Sequence, residues 1–544
     1  MKKEITLSGH IVDVVGKRIF KGTLKIVNGK IASVREGPVT EDQYILPGLV
    51  DAHIHVESSM LIPSEFARLA VVHGTVCTVS DPHEIANVLG IPGIQFMIRN
   101  GKKAPFKFSF GAPSCVPATP FETTGASLGE KEIKELLQMP EIGYLSEMMN
   151  CPGVLFEDKL VMKKLELARL AGKPVDGHAP GMIGADAERY IKAGITTDHE
   201  CYTIEEAREK IGFGMKILIR EGSAAKNFEA LCPLIDEYPD KVMLCSDDKH
   251  PNDLESGHIN LIVKRALKKG YDFMNVLRSC TYNPVHHYQL PVGLLQPGDP
   301  ADFILVNDLT DFRVLGTYIN GEKVAENGKS LVHSTTEEPL NRFEAGPVQS
   351  GEFQIRAEGS RIKVIQAIDG QLITEEWITE PEIAGGYVMP DPSRDILKIV
   401  VKNRYAQAPV SVGFISGFGL REGALASCVA HDSHNIVAVG ADDESIAAAI
   451  NLIVKAKGGI SLVDGSTELL LPLPFAGIMS GDDGYLVAEK YSRIDKKARD
   501  IGSKLSAPYM TLSFMALLVI PDLKLSDQGL FDGKRFAFTG IFQK

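Results

Sequence analysis

Side chains that can bind metal or transfer protons recur at the ends of short apolar segments in the first half of the chain. The candidate metal ligands among them are His53, His55, Glu147, His178, His199 and Asp247. Two histidines in a His-x-His pair on a strand project from the same face, so they can bind one ion together. Neutral imidazoles combined with carboxylates suit divalent first-row metals such as Zn²⁺, Mn²⁺ or Fe²⁺. These residue types predict a metal-dependent hydrolytic enzyme.

Glu147 predicts a second ion, because four histidines and one aspartate already exceed what a single catalytic ion normally takes. A carboxylate that faces both pairs of histidines can bridge two cations and reduce their repulsion at a separation of about 3.5–4 Å. The alternative makes Glu147 a solvated loop acid. Tyr144 precedes it closely and two methionines follow it, and these are poor neighbours for a solvated acid. We therefore expect Glu147 to bridge the two ions.

Two bound cations would lower the pKa of a shared water enough to supply hydroxide near neutral pH. Asp247 could hold that hydroxide and then carry its proton to the leaving group, which typically contributes about 10²–10⁴-fold. Asp247 and Asp248 cannot both point inward from one strand, since neighbouring side chains alternate. Asp247 comes first after the apolar segment, so Asp247 and Glu147 are the predicted catalytic residues. Asp248 is the alternative acid–base group.

A barrel is the element that would bring these side chains together. Eight apolar segments, each ending in such a polar residue, alternate with helix-like stretches. This pattern predicts an α/β fold with a (β/α)₈ TIM-like barrel over residues 47–288. In such barrels the chemistry collects at the carboxyl ends of the strands, where these residues lie.

The barrel is flanked by β-rich pieces with Asn-Gly turn signals, one on each side. Neither piece alone buries enough apolar area to be stable, so we expect one small β-sandwich from residues 1–46 and 289–340. Residues 341–544 carry their own apolar segments and predict a separate C-terminal α+β domain.

Composition restricts the class of partner. The net charge of −12 argues against a nucleic-acid or anionic-membrane partner, because nothing offsets the phosphate repulsion. No apolar run approaches the roughly 20 residues needed to span a bilayer, and the start lacks a signal-peptide core. Eight cysteines are scattered without a Cys-x-x-Cys pair, which is typical of a reduced, cytoplasmic protein.

Specific motifs carry a family resemblance. Residues 5–330 resemble the amidohydrolase superfamily, from Pro47-Gly48-Leu-Val-Asp51-Ala-His53-Ile-His55 to Pro297-Gly298-Asp299-Pro300-Ala301-Asp302. Four narrower motifs and a C-terminal one resemble the bacterial and archaeal adenine deaminase family. They are His55-Val-Glu57-Ser58-Ser59-Met60, Ser80-Asp81-Pro82-His83-Glu84-Ile-Ala-Asn87-Val-Leu-Gly90, Asp176-Gly177-His178-Ala179-Pro180-Gly181, Ser246-Asp247-Asp248-Lys249-His250-Pro251 and Val429-Ala-His431-Asp432-Ser433-His434-Asn435.

The resemblance implies hydrolysis of adenine to hypoxanthine and ammonia in purine salvage. Hydroxide would add to C6, and the amine would leave once protonated. It also implies two divalent ions, with Mn²⁺ or Fe²⁺ usual in this family and Zn²⁺ compatible with the ligands. By analogy with such enzymes, we expect a homo-oligomer.

Further residues could line the pocket. His83 and Glu84 could hold the ring nitrogens or relay protons, and an N-terminal helix cap by Asp81 or Glu84 is the alternative. Arg220 and Glu221 could contact the purine edge, with an ordinary ion pair as the alternative. The remaining candidates are the supporting acids Glu57 and Asp248, where Glu57 could orient a ligand histidine or be a loop acid.

Two readings stay open beside these. His431, Asp432 and His434 could bind another metal or close the pocket, but a structural turn entering a strand is the favoured interpretation. The same scaffold could also cleave a cyclic amide or an N-acetyl group, since the superfamily shares its ligand spacing. A member without enzymatic activity should lack ligands, and here every ligand position is filled.

Overall fold

The computed structural model describes residues 4–465 and 467–543. At its centre lies a barrel of eight parallel strands, built from a five-stranded and a three-stranded sheet. The strands are Leu49–Ile54, Thr75–Ser80, Lys107–Ala112, Ile142–Met148, Val175–Gly177, Thr197–Asp198, Lys216–Arg220 and Val242–Cys245. The amide of Asp247 donates to the carbonyl of His53 (2.9 Å) and that of Thr196 to Val175 (2.9 Å), so the two sheets close into a ring. The predicted (β/α)₈ barrel is confirmed.

The barrel strands are apolar on both faces. Every residue of Leu49–Ile54, Thr75–Ser80 and Val242–Cys245 is buried, because one face fills the barrel and the other packs against helices. Thr203 accepts a hydrogen bond from the amide of Glu206 and caps one of these helices. The helices of this region are Pro63–Ala70, His83–Leu89, Ile91–Gly101, Glu130–Gln138, Cys151–Leu155, Lys159–Leu170, Gly184–Lys192, Ile204–Gly212, Phe228–Leu231, Leu234–Glu237, Pro251–Ser256, Ile259–Lys268, Phe273–Ser279 and Tyr282–Tyr288.

Both β-rich flanks contribute to one eight-stranded sheet, so the two flanks combine as expected, although the sequence analysis described the combined unit as a small β-sandwich. Its order is Lys329–Ser330, Glu322–Glu326, Val314–Ile319, Phe303–Val306, Tyr44–Pro47, Glu4–Asp13, Arg18–Val27 and Lys30–Glu36. Positive φ angles at Asn28 and Gly29 (52° and 79°) and at Asn320 and Gly321 (49° and 72°) make the two predicted hairpin turns. Strands from both flanks share one apolar core, which explains why neither flank needs to be stable alone.

The C-terminal region is α+β, as predicted, and its centre is a second eight-stranded sheet. The order is Thr374–Thr379, Ile362–Ala367, Ser411–Ser416, Leu397–Lys402, Ile436–Gly440, Ala424–Ser427, Gly459–Asp464 and Thr467–Pro472. Two smaller sheets comprise Ile355–Arg356, Tyr387–Met389 and Glu382–Ala384, and Leu523–Ser526, Gly529–Asp532 and Ala537–Phe538. The helices are Asp443–Ala456, Gly484–Asp500 and Pro508–Ser513, and short 3₁₀ turns occur at Val56–Ser59, Val71–His73, Ser350–Phe353, Pro392–Arg394 and Phe514–Ala516.

Alternation along the strands of this sheet gives it two apolar faces. Ile436 and Ala438 pack beneath helix Asp443–Ala456, whereas Val437 and Val439 belong to the core that also contains the barrel residues. The barrel and the C-terminal sheet therefore share a continuous apolar core. The domain boundaries at residues 46, 288 and 340 stay a prediction.

None of the helices in residues 4–465 and 467–543 combines the length and the apolar character needed to cross a bilayer.

A buried lysine ties two C-terminal segments together. Lys524 is fully buried, and its Nζ donates to the carbonyl oxygens of Leu372 (2.7 Å) and Phe514 (3.1 Å). Burial lowers the pKa of Lys524 to about 7, although Asp522 acts in the opposite direction. The folded protein therefore favours the neutral amine, which still donates to a carbonyl.

This pKa predicts a pH-dependent contribution to stability. Between about pH 7 and the unfolded pKa near 10.5, the unfolded chain binds a proton that the folded chain does not. The free energy of unfolding from this group therefore rises with pH, by up to about 1.4 kcal/mol per pH unit. The melting temperature of the wild type minus that of Lys524→Met should increase between pH 7 and 9. Lys496→Met, at an exposed position, is the control, and a difference that stays constant for Lys524→Met contradicts the prediction.

Candidate active site

The six predicted ligand side chains converge at the carboxyl ends of the barrel strands. They come from the first, fourth, fifth, sixth and eighth strands, and each is at most 8% exposed. Parallel strands end at the same rim of a barrel, so residues distant in the chain become neighbours there. The structure thus brings together every residue of the predicted ligand set.

One group of donors is formed by His53, His55 and Asp247. The Nε2 atoms of the two histidines lie 3.2 Å apart. Asp247 Oδ1 lies 3.2 Å from His55 Nε2 and 3.5 Å from His53 Nε2. Asp247 has a φ of 54°, in the left-handed region, two residues after the eighth strand ends. The two imidazole nitrogens and the carboxylate oxygen therefore meet in one place.

Glu147 connects this group with the second pair of histidines. Its Oε2 lies 2.9 Å from His178 Nδ1 and 3.2 Å from His199 Nε2. Its Oε1 lies 3.5 Å from His55 Nε2, in the first group. Each oxygen of this carboxylate faces a different set of imidazoles, which is the arrangement expected of a bridging ligand.

The electrostatics of the cluster fit divalent cations. Burial disfavours the charged form of Glu147, but His178 and His199 outweigh it and hold the pKa of this carboxyl well below its usual value. Burial likewise opposes ionisation of Asp247, but Arg220 and the first two histidines together outweigh it and hold the pKa of this carboxyl well below its usual value. Two ionised acids buried among imidazoles require nearby positive charge. Nitrogen and oxygen donors of this kind suit first-row divalent metals.

Arg220 contacts the predicted acid–base residue. Its Nη1 donates to Asp247 Oδ2 (2.8 Å), and the same guanidinium pairs with Glu200. Glu200 lines the pocket, and its Oε1 lies 3.4 Å from His199 Nε2. Glu200 is a site residue that the sequence did not predict, although its position directly after the candidate ligand His199 is a signal for it. Arg220 thus bonds to two acids of the site. Its contacts match the ion pair that was the alternative to a contact with the purine edge.

Two other predicted residues, Glu221 and Glu57, make contacts that differ from those expected of a substrate-binding or supporting residue. Glu221 pairs with Arg265 (2.7 Å) and is not part of the pocket lining, so its contacts match the ordinary ion pair. Glu57 accepts the amide of Ile85 (3.2 Å), and burial raises its pKa to about 7. The second nitrogen of His55 lies instead 3.2 Å from the carbonyl oxygen of Asp81. A backbone carbonyl orients that histidine, and no sequence pattern marks such a contact.

Asp248 reaches the pocket beside Asp247, so the expectation that the two cannot both point inward is wrong. Both residues follow the end of the strand, where the left-handed φ of Asp247 breaks the alternation of side chains. Asp248 lines the pocket, and its Oδ1 accepts the hydroxyl of Ser58 (2.5 Å). Burial raises the pKa of this carboxyl, and the charge of Asp247 adds to that effect. The pKa values of Asp247 and Asp248 therefore shift in opposite directions, and Arg220 lies beside Asp247.

His83 and Glu84 contact the C-terminal region. His83 Nε2 lies 3.3 Å from Glu84 Oε1 and 3.5 Å from Asp432 Oδ1. Glu84 also bonds to His431, and its Oε2 lies 2.5 Å from His434 Nε2. Residues 431–433 form a turn that leads into the strand Ile436–Gly440, as the favoured interpretation predicts, and His431 and Asp432 of this turn also line the pocket. Local sequence could not reveal a contact between residues about 350 positions apart.

The pocket has a polar wall from the barrel and a mainly apolar wall from the C-terminal region. The barrel side is lined by His55, His83, Glu84, Glu147, Met149, His178, His199, Glu200, Asp247 and Asp248. The opposite side is lined by Leu372, His431, Asp432, Phe514, Leu517 and Ile520. The apolar members of the second wall were not predicted, since nothing in their sequence separates them from ordinary core residues.

Comparison with known proteins identifies both halves of the chain. Residues 44–324 match the model of the amidohydrolase family, and residues 371–537 match the adenine deaminase C-terminal domain. An adenine deaminase of Salinibacter ruber is 52% identical over all of both chains. Those of Methanosarcina mazei (53% identical, 98% of this chain and 99% of the relative) and Sulfurovum sp. (55%, 98% of each) are similar along their full length. This chain belongs to the adenine deaminase family, within the amidohydrolases.

Proposed function

We propose that this chain hydrolyses adenine to hypoxanthine and ammonia and serves purine salvage. Full-length relatives at 52–55% identity are adenine deaminases, and adenine is accordingly the substrate. The observation that carries the chemistry is the carboxylate of Glu147, whose two oxygens face separate histidine groups. That arrangement supports a two-metal hydrolytic centre.

Divalent-metal binding follows from the amidohydrolase family and from the buried His/Asp/Glu cluster. His53, His55 and Asp247 would hold one ion, His178 and His199 would hold the other, and Glu147 would contact both. When bound, such ions supply the Lewis acidity that lowers the pKa of a water molecule and polarises the reacting group. We propose Mn²⁺ or Fe²⁺, and the nitrogen and oxygen donors also accommodate Zn²⁺.

Asp247 is the proposed acid–base group. Arg220 holds Asp247 Oδ2, while Asp247 Oδ1 faces the histidines. This orientation lets the carboxylate accept a proton from the attacking water and donate it to the departing amine. His83 and Glu84 lie at the pocket wall, where they can contact the purine ring. The C-terminal wall excludes bulk water from the reacting groups.

The proposal also includes the setting in which the enzyme works. All eight cysteines are free thiols, which supports a reducing, cytoplasmic location. The net charge of −12 supports a small-molecule substrate and no nucleic-acid or membrane partner. We further propose a homo-oligomer, on the analogy with related enzymes.

Turnover of adenine tests the proposed function directly. Metal-loaded protein mixed with adenine should give the ultraviolet change from adenine to hypoxanthine and one ammonia per base. Parallel assays should include a dihydro-ring cyclic amide and an N-acetyl substrate. Hydrolysis of one of those without any turnover of adenine would contradict the proposal and favour another amidohydrolase activity.

Changing Asp247 to Asn should lower kcat by about 10²–10⁴-fold, because the amide cannot accept and return the proton. Most of the metal should remain, since the amide oxygen still binds a cation, and elemental analysis checks this. Asp248→Asn, one position along and in the same pocket, is the matched comparison and should cause a smaller loss. A larger loss for Asp248→Asn would assign the proton transfer to Asp248.

Glu147→Gln should reduce the metal content from two ions per chain to one or fewer, because an amide cannot bridge two cations with two oxygens. Metal analysis of the purified variant measures this, with the exposed Glu135→Gln as control. Chelation should remove activity from the wild type, and Mn²⁺ or Fe²⁺ should restore it. Two ions retained in Glu147→Gln would rule out the bridging role.

A further inference from the structure

The wall that the C-terminal region contributes to the pocket carries one acidic side chain. Phe514, Leu517 and Ile520 give this wall an apolar surface, and Asp432 is its carboxylate. A flat heteroaromatic base has apolar faces and hydrogen-bonding edges, so a pocket with both kinds of surface complements it. Asp432 is therefore the group on this wall that can recognise an N–H edge.

One carboxylate oxygen of Asp432 has no hydrogen-bond donor beside it in the part of the chain that the structure describes. The residue is 2% exposed, and its Oδ2 has no hydrogen-bond partner among the residues that the structure describes. Its other oxygen lies 3.5 Å from His83 Nε2. Buried acceptor atoms in folded proteins nearly always have a hydrogen-bond partner. An unpaired carboxylate oxygen in a pocket wall therefore indicates that a ligand supplies the donor.

Contacts from the barrel fix Asp432 in this place. Glu84 binds His431 on one side of Asp432 and His434 on the other (Oε2 to Nε2, 2.5 Å). The ring of His431 also stacks on Phe514, with centroids 4.7 Å apart and planes 10° apart. Glu84 is thus a positioning residue, which holds the segment that presents Asp432.

Asp432 lies on the opposite side of the His83 ring from the metal-ligand cluster. The ring of His83 separates the two, since Nδ1 lies 3.3 Å from Glu147 Oε1 and Nε2 lies 3.5 Å from Asp432 Oδ1. Asp432 is therefore about one ring beyond the cluster. In adenine, the N–H of the five-membered ring lies across the fused rings from C6. When C6 reacts at the cluster, that N–H points away from it, as Asp432 requires.

We propose that Asp432 determines specificity for the free base by accepting a hydrogen bond from the five-membered-ring N–H. This inference rests on the proposed function, because it uses adenine as the substrate. A nucleoside or a 9-alkylated base has no such N–H and directs its substituent at the apolar wall. A site built to bind an N–H rejects an analogue without it, since the buried acceptor then stays unpaired.

The test compares adenine with 9-methyladenine, which keeps C6 and its amine but has no N–H in the five-membered ring. The wild type should prefer adenine in kcat/KM by roughly 10- to 150-fold, the range for a hydrogen bond to a charged group. Asp432→Ala should lose most of this preference through a higher KM for adenine, with its metal content unchanged. Asp432→Asn keeps the shape and one acceptor oxygen, so it should fall between them. The exposed Asp500→Asn should behave as the wild type.

Equal losses on both substrates in Asp432→Ala and Asp432→Asn would overturn the inference, because a merely structural role does not distinguish the two bases. A wild type without preference for adenine would overturn it as well. Titration calorimetry with hypoxanthine and 9-methylhypoxanthine separates this failure from failure of the proposed function. Binding of hypoxanthine with a preference that does not depend on Asp432 defeats the inference alone. Absence of both binding and turnover defeats the proposed function and the inference together.

Discussion

The carboxylate of Glu147 lies between two groups of histidines, and each of its oxygens faces one of them. Burial opposes the charge of this acid and of Asp247, so the site depends on positive charge held close to both. Imidazoles and Arg220 provide part of this positive charge. The set of donor atoms suits divalent cations, which would provide the remaining positive charge. An ionised acid left without such compensation inside a protein is strongly destabilising. The buried charges that give the site its reactivity therefore destabilise the fold unless they are compensated.

The backbone contacts that close the barrel also hold the charged side chains of the site close together. The hydrogen bond from the amide of Asp247 to the carbonyl of His53 joins the eighth strand to the first, so two candidate ligands are held by the contact that closes the ring. Arg220, at the end of the seventh strand, then fixes the outer oxygen of Asp247. Fold and site are thus specified by the same contacts. A disturbance of the ring closure would move the ligands as well.

The C-terminal region completes a pocket that the barrel alone leaves one-sided. Glu84 reaches across to His431 and His434, and the apolar side chains beyond them cover the metal-ligand cluster. Lys524 binds the carbonyl oxygens of Leu372 and Phe514, two residues of that wall. A continuous apolar core connects this region with the barrel. The wall consequently has the rigidity of a packed interior, which favours a defined fit for a small flat substrate.

Sequence alone determined the elements and the chemistry whose signals are local. Apolar runs ending in histidine or acid predicted the barrel strands and the six candidate ligands, because a strand and the residue after it are adjacent in the chain. The Asn-Gly turns predicted both hairpins for the same reason. Tertiary structure alone decided which charged residues meet. Arg220 with Asp247, Glu84 with His434 and Glu221 with Arg265 are contacts between distant elements. The conformation of the intervening backbone sets those distances, and no local pattern encodes them.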